Sequence, residues 1–261
     1  MNGEARALFT PNRALSPNTV RTLVFGQLLF VLILWFFSPF VYLPKPGETV
    51  ASFIDLWKAG LGAELLTSLG LNIQALALAT VISLAFAYSS RLPFMRPIVM
   101  LVGKLRFLSM AGLAFLFTLV ASTGHELKLY LLAFSITVFF VTTMTDVVAN
   151  IPQEQYDLAH TLGMNEWRTL LEVVIFGQAD QAFIALRSNA AIGWMVITMI
   201  EGMARSGGVG TVLLDQNRHF HLAAVFAIQL TILVLGLGQD YLIGWLRIQF
   251  CPYADLALER K

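Results

Sequence analysis

Apolar residues run along this chain in long blocks separated by short polar stretches, and the block lengths set the first expectation. A hydrocarbon core about 30 Å thick takes roughly 20 apolar residues of helix. The first block runs from Val20 to Tyr42 and ends at Pro44 and Pro46. A more polar stretch follows, 47–63, with Glu48, Asp55 and Lys58 among apolar residues (Val50, Phe53, Ile54, Trp57) at helical spacing. That pattern predicts a short helix lying at the membrane interface. The second span is predicted from Ser68 to Tyr88, followed by a basic turn with Arg91, Pro93, Arg96 and Pro97. Lys104 and Arg106 interrupt the third region, so the span there is placed at Phe107 to Ser122, with 97–106 tilted or interfacial. Further spans are predicted at Leu127 to Val147, Ala179 to Met203 and Leu222 to Leu246, with a charged segment at 150–176 and a Gly-rich loop from Ala204 to His221. Six spans is the central count, with five and seven left open.

Composition agrees with this reading. Hydrophobic residues make up 57% of the 261 and charged residues 13%, about half the charged share of a soluble domain. A surface so poor in charge must be covered largely by lipid. The formal net charge of +1 gives no reason to expect nucleic acid. A single cysteine, Cys251, excludes an internal disulfide. Arg6, Arg13 and Arg21 precede the first apolar block, and no small-residue cleavage site follows it, so the first helix is expected to stay as an anchor.

Lys and Arg then orient the chain. With the N-terminus inside, Arg6, Arg13, Arg21, Arg91, Arg96, Lys104, Arg106, Arg168, Arg247, Arg260 and Lys261 fall on the inner side. Lys45, Lys58, Lys128, Arg205 and Arg218 fall outside. Both tails, 1–19 and 247–261, are therefore expected in the cytoplasm, flanking a membrane domain over 20–246. Segment 150–176 is expected there too.

That segment reads as a helix, a glycine turn and a second helix. Asn150 is placed to cap the first helix, with Pro152, Gln153 and Glu154 in its first turn. Tyr156, Ala159 and Leu162 form an apolar stripe, and Gly163 supplies the left-handed residue that ends the helix. Asn165 can cap the second helix, whose apolar face is Trp167, Leu170, Leu171 and Val174. A short exposed helix on a rigid elbow suits the docking of another protein; an ordinary connecting loop is the alternative.

Asp157-Leu158-Ala159, three residues and Gly163, with Trp167 and Val173-Val174-Ile175 beyond, resembles the cytoplasmic loop of the membrane subunits of binding-protein-dependent ABC importers. In that family the loop carries Glu-Ala-Ala, three residues and Gly, then a hydrophobic stretch ending in proline. Ala185-Leu186-Arg187, Trp194, Ile200-Glu201-Gly202 and Gly208-Val209-Gly210 are similar in spacing to the branch that imports nitrate, sulfonates, taurine and bicarbonate. Leu43-Pro44-Lys45-Pro46 and the turn from Gly124 to Lys128 resemble two further features of that branch. The resemblance runs from about Leu43 to Asp240. Ser109, Ala114, Phe176 and Asp180 stand where the branch usually has prolines, which predicts straighter third and fifth spans.

The resemblance implies an all-α type I permease, a homodimer in the inner (plasma) membrane. It would rest on two separate ATPase subunits and receive a small anionic solute from an external solute-binding protein. Tyr156, Asp157, Ala159, Leu162, Gly163 and Trp167 would make the coupling helix, within 152–163 and its elbow. This chain has no Gly-x-x-x-x-Gly-Lys-Ser/Thr, so ATP and Mg would bind the ATPase, and no cofactor is expected on this chain. No catalytic constellation of an intramembrane enzyme is present either.

Arg187, Trp194 and Glu201 are spaced by seven and lie on one stripe with Ala190, Ala191 and Thr198. One reading has the stripe line the translocation path, with Arg187 near a passing anion. The other has Arg187 and Glu201 reach opposite headgroup layers. They are too far apart to pair with each other. Asp240 reads as a helix-end residue at the interface, and His219 and His221 as loop residues. A stand-alone secondary transporter or channel is the competing function, although the chain shows no internal repeat.

Overall fold

The computed structural model describes residues 16–40 and 42–252. Most of the two expected tails, with Arg6, Arg13, Arg260 and Lys261, lies outside the described residues. So does Val41 of the first predicted span.

Eleven α-helices follow in order among the described residues: α1 (Pro17–Phe36), α2 (Pro46–Lys58), α3 (Leu61–Ser89), α4 (Arg96–Lys104), α5 (Met110–Thr118), α6 (Gly124–Ala149), α7 (Gln153–Thr161), α8 (Glu166–Thr169), α9 (Ala179–Ala204), α10 (Val209–Arg218) and α11 (Leu222–Phe250). Five of these, α1, α3, α6, α9 and α11, are long and apolar enough to cross a membrane. The fold is that of an all-α multi-pass membrane protein.

The core is built where α3, α6, α9 and α11 meet. Ala75 and Ala79, fully buried and one turn apart on α3, let the backbones approach closely. Ile136, Phe140 and Met144 of α6 fill the centre, with Ile197 and Ile200 of α9 and Ile228 of α11. Helix α1 is different: Phe25, Leu28, Phe30 and Val31 are all exposed along it, as a lipid-facing helix should be. Its far end is tied down by the Trp35 indole N–H, which donates to the Pro44 carbonyl at 2.9 Å.

A helix forms where the short polar one was expected: α2, ending at Lys58. Gly60, with φ of 104°, turns the chain into α3. The second span therefore starts seven residues earlier than its apolar run alone suggests.

The third region departs most from expectation. In place of a straight span over 107–122, Arg96–Phe107 and Met110–Thr118 form a pair bent by 108°. Loss of the prolines does not straighten this region, because Ser109 already holds a proline-like backbone (φ −69°, ψ 131°), preceded by extended Leu108. Helix α5 alone, nine residues, is about 14 Å long and cannot cross a bilayer.

Because the Ser109 N–H makes no hydrogen bond and its φ suits proline, Ser109→Pro should be tolerated. We expect the melting temperature in detergent to stay level or rise, on the scale of about 0.4–1 kcal/mol. A marked fall would show that the bend needs a freer backbone than the one described.

Candidate functional site

Two places gather the residues singled out in the sequence: the elbow between α6 and α9, and the face that α9 shares with α11.

At the elbow, Asn150 closes α6 rather than opening α7. The position before α7 is Pro152, with no side-chain cap, because Ile151 turns into the core first. Gly163 has φ of 75°, and the Met164 N–H donates back to the Ala159 carbonyl at 3.1 Å. This is the glycine-terminated helix end that was expected. Asn165 Oδ1 accepts from the Arg168 N–H at 2.8 Å, also as expected. The second elbow helix is only four residues of α-helix before the backbone widens into a π-helix, Leu170–Phe176.

The elbow is fixed from beneath by a small core of its own, Val148, Ile151 and Val174, against which Tyr88, Tyr156 and Leu170 pack. Arg91, at the end of α3, binds the Val148 carbonyl and lies 5.0 Å over the Tyr156 ring. Burial pushes the Tyr156 phenol above its ordinary range, and the Arg91 charge works the other way. Tyr156 and Ala159 thus face inward. Leu162, expected on the same stripe, is exposed with Leu158, Trp167 and Asp157. The result is an apolar ledge on a braced mount. Arg91 Nε, Thr145 Oγ1, Tyr156 Oη and Thr169 Oγ1 are buried without a hydrogen-bond partner.

Along α9 the seven-residue stripe divides. Arg187 and Trp194 line one groove of about 520 Å³ between α9 and α11, together with Ala190, Ala191, Thr198, Gln229, Gly236 and Asp240. Arg187 binds both carboxylate oxygens of Asp240 through Nε and Nη2. Asp240 is therefore a partner within the span rather than a helix-end residue; it lies roughly 15 Å in from the end of α11. Trp194 Nε1 donates to Gln239 Oε1 at 2.7 Å, and Asn72 Nδ2 donates to the same oxygen at 3.1 Å.

Glu201 turns away from this groove and is fully buried (0% exposed). The predicted Gly-rich loop from Ala204 to His221 contains α10, which folds back over the end of α9 and covers it. The Ser68 hydroxyl donates to Glu201 Oε1 at 2.7 Å and accepts from the Val209 N–H at 2.8 Å. The Gly210 N–H donates to Glu201 Oε2 at 2.8 Å, and the Gly208 N–H donates to Glu64. Backbone passes so close here that a Cβ at Gly208 would lie 2.2 Å from the Glu201 carboxyl carbon, and one at Gly210 2.3 Å from the Thr198 carbonyl oxygen. Lys128, counted by charge among outer-surface residues, is 2% exposed. Its ammonium donates to the Ser206 and Gly207 carbonyls at 3.2 and 3.1 Å.

Sequence reasoning missed Ser68, Asn72, Gln239 and the roles of Asp240 and Lys128. A signal existed for Asp240 and Lys128, since an ionisable residue within an apolar block implies a partner. For the neutral residues there was none.

No family model matches the chain. It is similar to the bicarbonate transport system permease protein CmpB of Synechococcus elongatus and of a second Synechococcus strain, 25% identical over 122 residues in each. The match covers 43% of this chain, and the chain spans 44% of the length of these relatives. The likeness is to transport permeases, and the long apolar helices of this chain are in keeping with it.

Ser68→Ala should leave the Glu201 carboxylate and the Val209 N–H short of a partner. We expect a loss of about 1–3 kcal/mol, seen as a lower melting temperature, and faster hydrogen exchange of the amides at 208–210. Unchanged exchange there would mean that the serine does not hold the loop.

Proposed function

We propose that this chain is a membrane-spanning permease subunit of an ATP-driven ABC importer for a small anionic solute, bicarbonate-, nitrate- or sulfonate-like. In this reading two copies sit in the inner membrane with both termini in the cytoplasm. They couple through helix 152–163 to separate ATPase subunits, which hold ATP and Mg, and take solute from an external binding protein. Arg187, Trp194 and Glu201 belong to the translocation region, the first two along its wall and the third as the anchor of its outer loop.

The observation that carries this reading is the elbow. Leu158, Leu162 and Trp167 present apolar surface on the outside of a mount whose inside is packed against α3 and α6. An exposed, braced ledge between two spans suits a partner that pushes, and the π-helix leads from it to α9 through the two-residue turn Gly177–Gln178. Support for the solute class comes from the bicarbonate transport of the relatives and from the guanidinium in the α9–α11 groove. The chain carries no ATP-binding loop of its own, so the motor would be another polypeptide.

The test is uptake of labelled bicarbonate or nitrate into vesicles holding this chain with its genomic-neighbour ATPase and binding protein. Uptake should require ATP and all the subunits; uptake by this chain alone without ATP would favour a secondary transporter or channel instead. Gly163→Val should lower ATP-dependent uptake about fivefold or more while membrane insertion is kept. A positive φ costs a β-branched residue at least ~1–2 kcal/mol, and no neighbour lies within 4 Å of the new Cβ, so the cost is confined to the backbone. Gly163→Asn, which tolerates that φ, should retain most uptake. Equal uptake by the valine variant and wild type would remove the elbow from the mechanism.

A further inference from the structure

The Arg187–Asp240 pair differs from the buried charged residues of the bundle in how it is held. Glu201 and Lys128 are 0% and 2% exposed and tied to backbone. The Arg187 and Asp240 side chains are 46% and 37% exposed, bound only to each other, and they border an open groove. Small residues, Ala190, Ala191 and Gly236, leave the groove room beside them. Gly244 lies against the outer face of the guanidinium, where an ideal Cβ would come 3.7 Å from Nη1. Nothing packs the pair shut.

The form of the contact indicates what else could make it. Arg187 uses Nε and Nη2 as a two-pronged donor to two oxygens of one planar carboxylate. Bicarbonate, nitrate and a sulfonate present two oxygens on one centre in the same way. While Asp240 occupies the fork the groove is electrically neutral. Once Asp240 swings off, a guanidinium faces the cavity and an anion can take the vacated oxygens' places.

We propose that Arg187 is an oxyanion-binding residue and that Asp240 is its built-in competitor, so that a small oxyanion binds by displacing the Asp240 carboxylate. This rests on the permease reading for its biological sense. The exchange sets a threshold: the groove takes an anion only when the anion outcompetes an internal carboxylate, and it resists cations because Arg187 is already charged. No proton transfer or covalent step is involved.

The probe is sodium nitrate or sodium bicarbonate, titrated into the purified full-length chain in detergent at constant ionic strength made up with sodium chloride. Asp240→Asn removes the competitor at constant size and should bind nitrate about tenfold more tightly than wild type, a shift of about 1.4 kcal/mol. Arg187→Gln should abolish the binding, and Arg187→Lys should weaken it, since an ammonium lacks the fork. Nitrate binding by the folded Asp240→Asn protein that is absent, or no tighter than wild type, overturns the proposal. Should that variant not fold, Asp240→Ser decides: nitrate binding tighter than wild type supports the proposal, and binding no tighter than wild type overturns it. The titration needs neither ATPase nor binding protein, so failure of ATP-dependent uptake, which would sink the permease reading, is read separately.

Discussion

A charged side chain among apolar helices is costly unless another part of the protein answers it, and the long helices are joined at the places where such groups are answered. Glu201 on α9 is answered by Ser68 on α3 and by the backbone of the following loop. Lys128 on α6 is answered by two carbonyls of the same loop. Arg187 on α9 is answered by Asp240 on α11, and Asp180, at the start of α9, by Arg247 of α11 at 2.5 Å. Each contact joins segments far apart in sequence. Apolar packing alone distinguishes poorly between helix neighbours in lipid, because hydrocarbon surrounds every alternative equally. Polar partners give the bundle its particular arrangement.

Helix α9 is the common member. From its first turn to its last it is laced to α11 by Asp180 and Arg187, to α11 and α3 together through Trp194, Gln239 and Asn72, and finally to α3 and the loop that follows it by Glu201. A helix tied along its length moves with its neighbours rather than past them. The elbow joins α9 through seven residues of π-helix, a geometry that recurs at functional sites. In the proposed importer a push on Leu158 and Trp167 would therefore reach the Arg187 groove through one nearly continuous element.

The apolar blocks made five membrane helices legible, and cap chemistry made Gly163 and Asn165 legible, because both signals are local. The failures lie where the deciding partner is remote. Asn150 has the chemistry of a helix start, but α6 ends on it because Ile151 is drawn into the core. Lys128 has the sequence position of a surface residue, yet its ammonium reaches carbonyls 78 and 79 residues away. The missing prolines suggested straight helices; Ser109 and Leu108 keep an extended backbone without one. The seven-residue spacing puts Arg187, Trp194 and Glu201 on one helix, α9, but spacing does not reveal that Glu201 turns under α10 while Arg187 and Trp194 line an open groove.

That difference in cover bears on what must surround the α9–α11 face. Arg187 lies roughly 12 Å in from the start of its helix and Asp240 roughly 15 Å in from the end of its own. A half-exposed ion pair is poorly suited to contact with acyl chains, even when the two charges neutralise each other, because their unsatisfied donors and lone pairs would still face hydrocarbon. The face must meet water or another protein surface. In the proposed importer, either one would place the groove inside the working assembly, along the path of a permeant anion. The lipid-exposed side chains of α1, apolar from Val20 to Phe36 apart from a few small polar residues and Arg21, supply the contrast: the chain coats with hydrocarbon the helix it gives to lipid, and it keeps its open charges for another face.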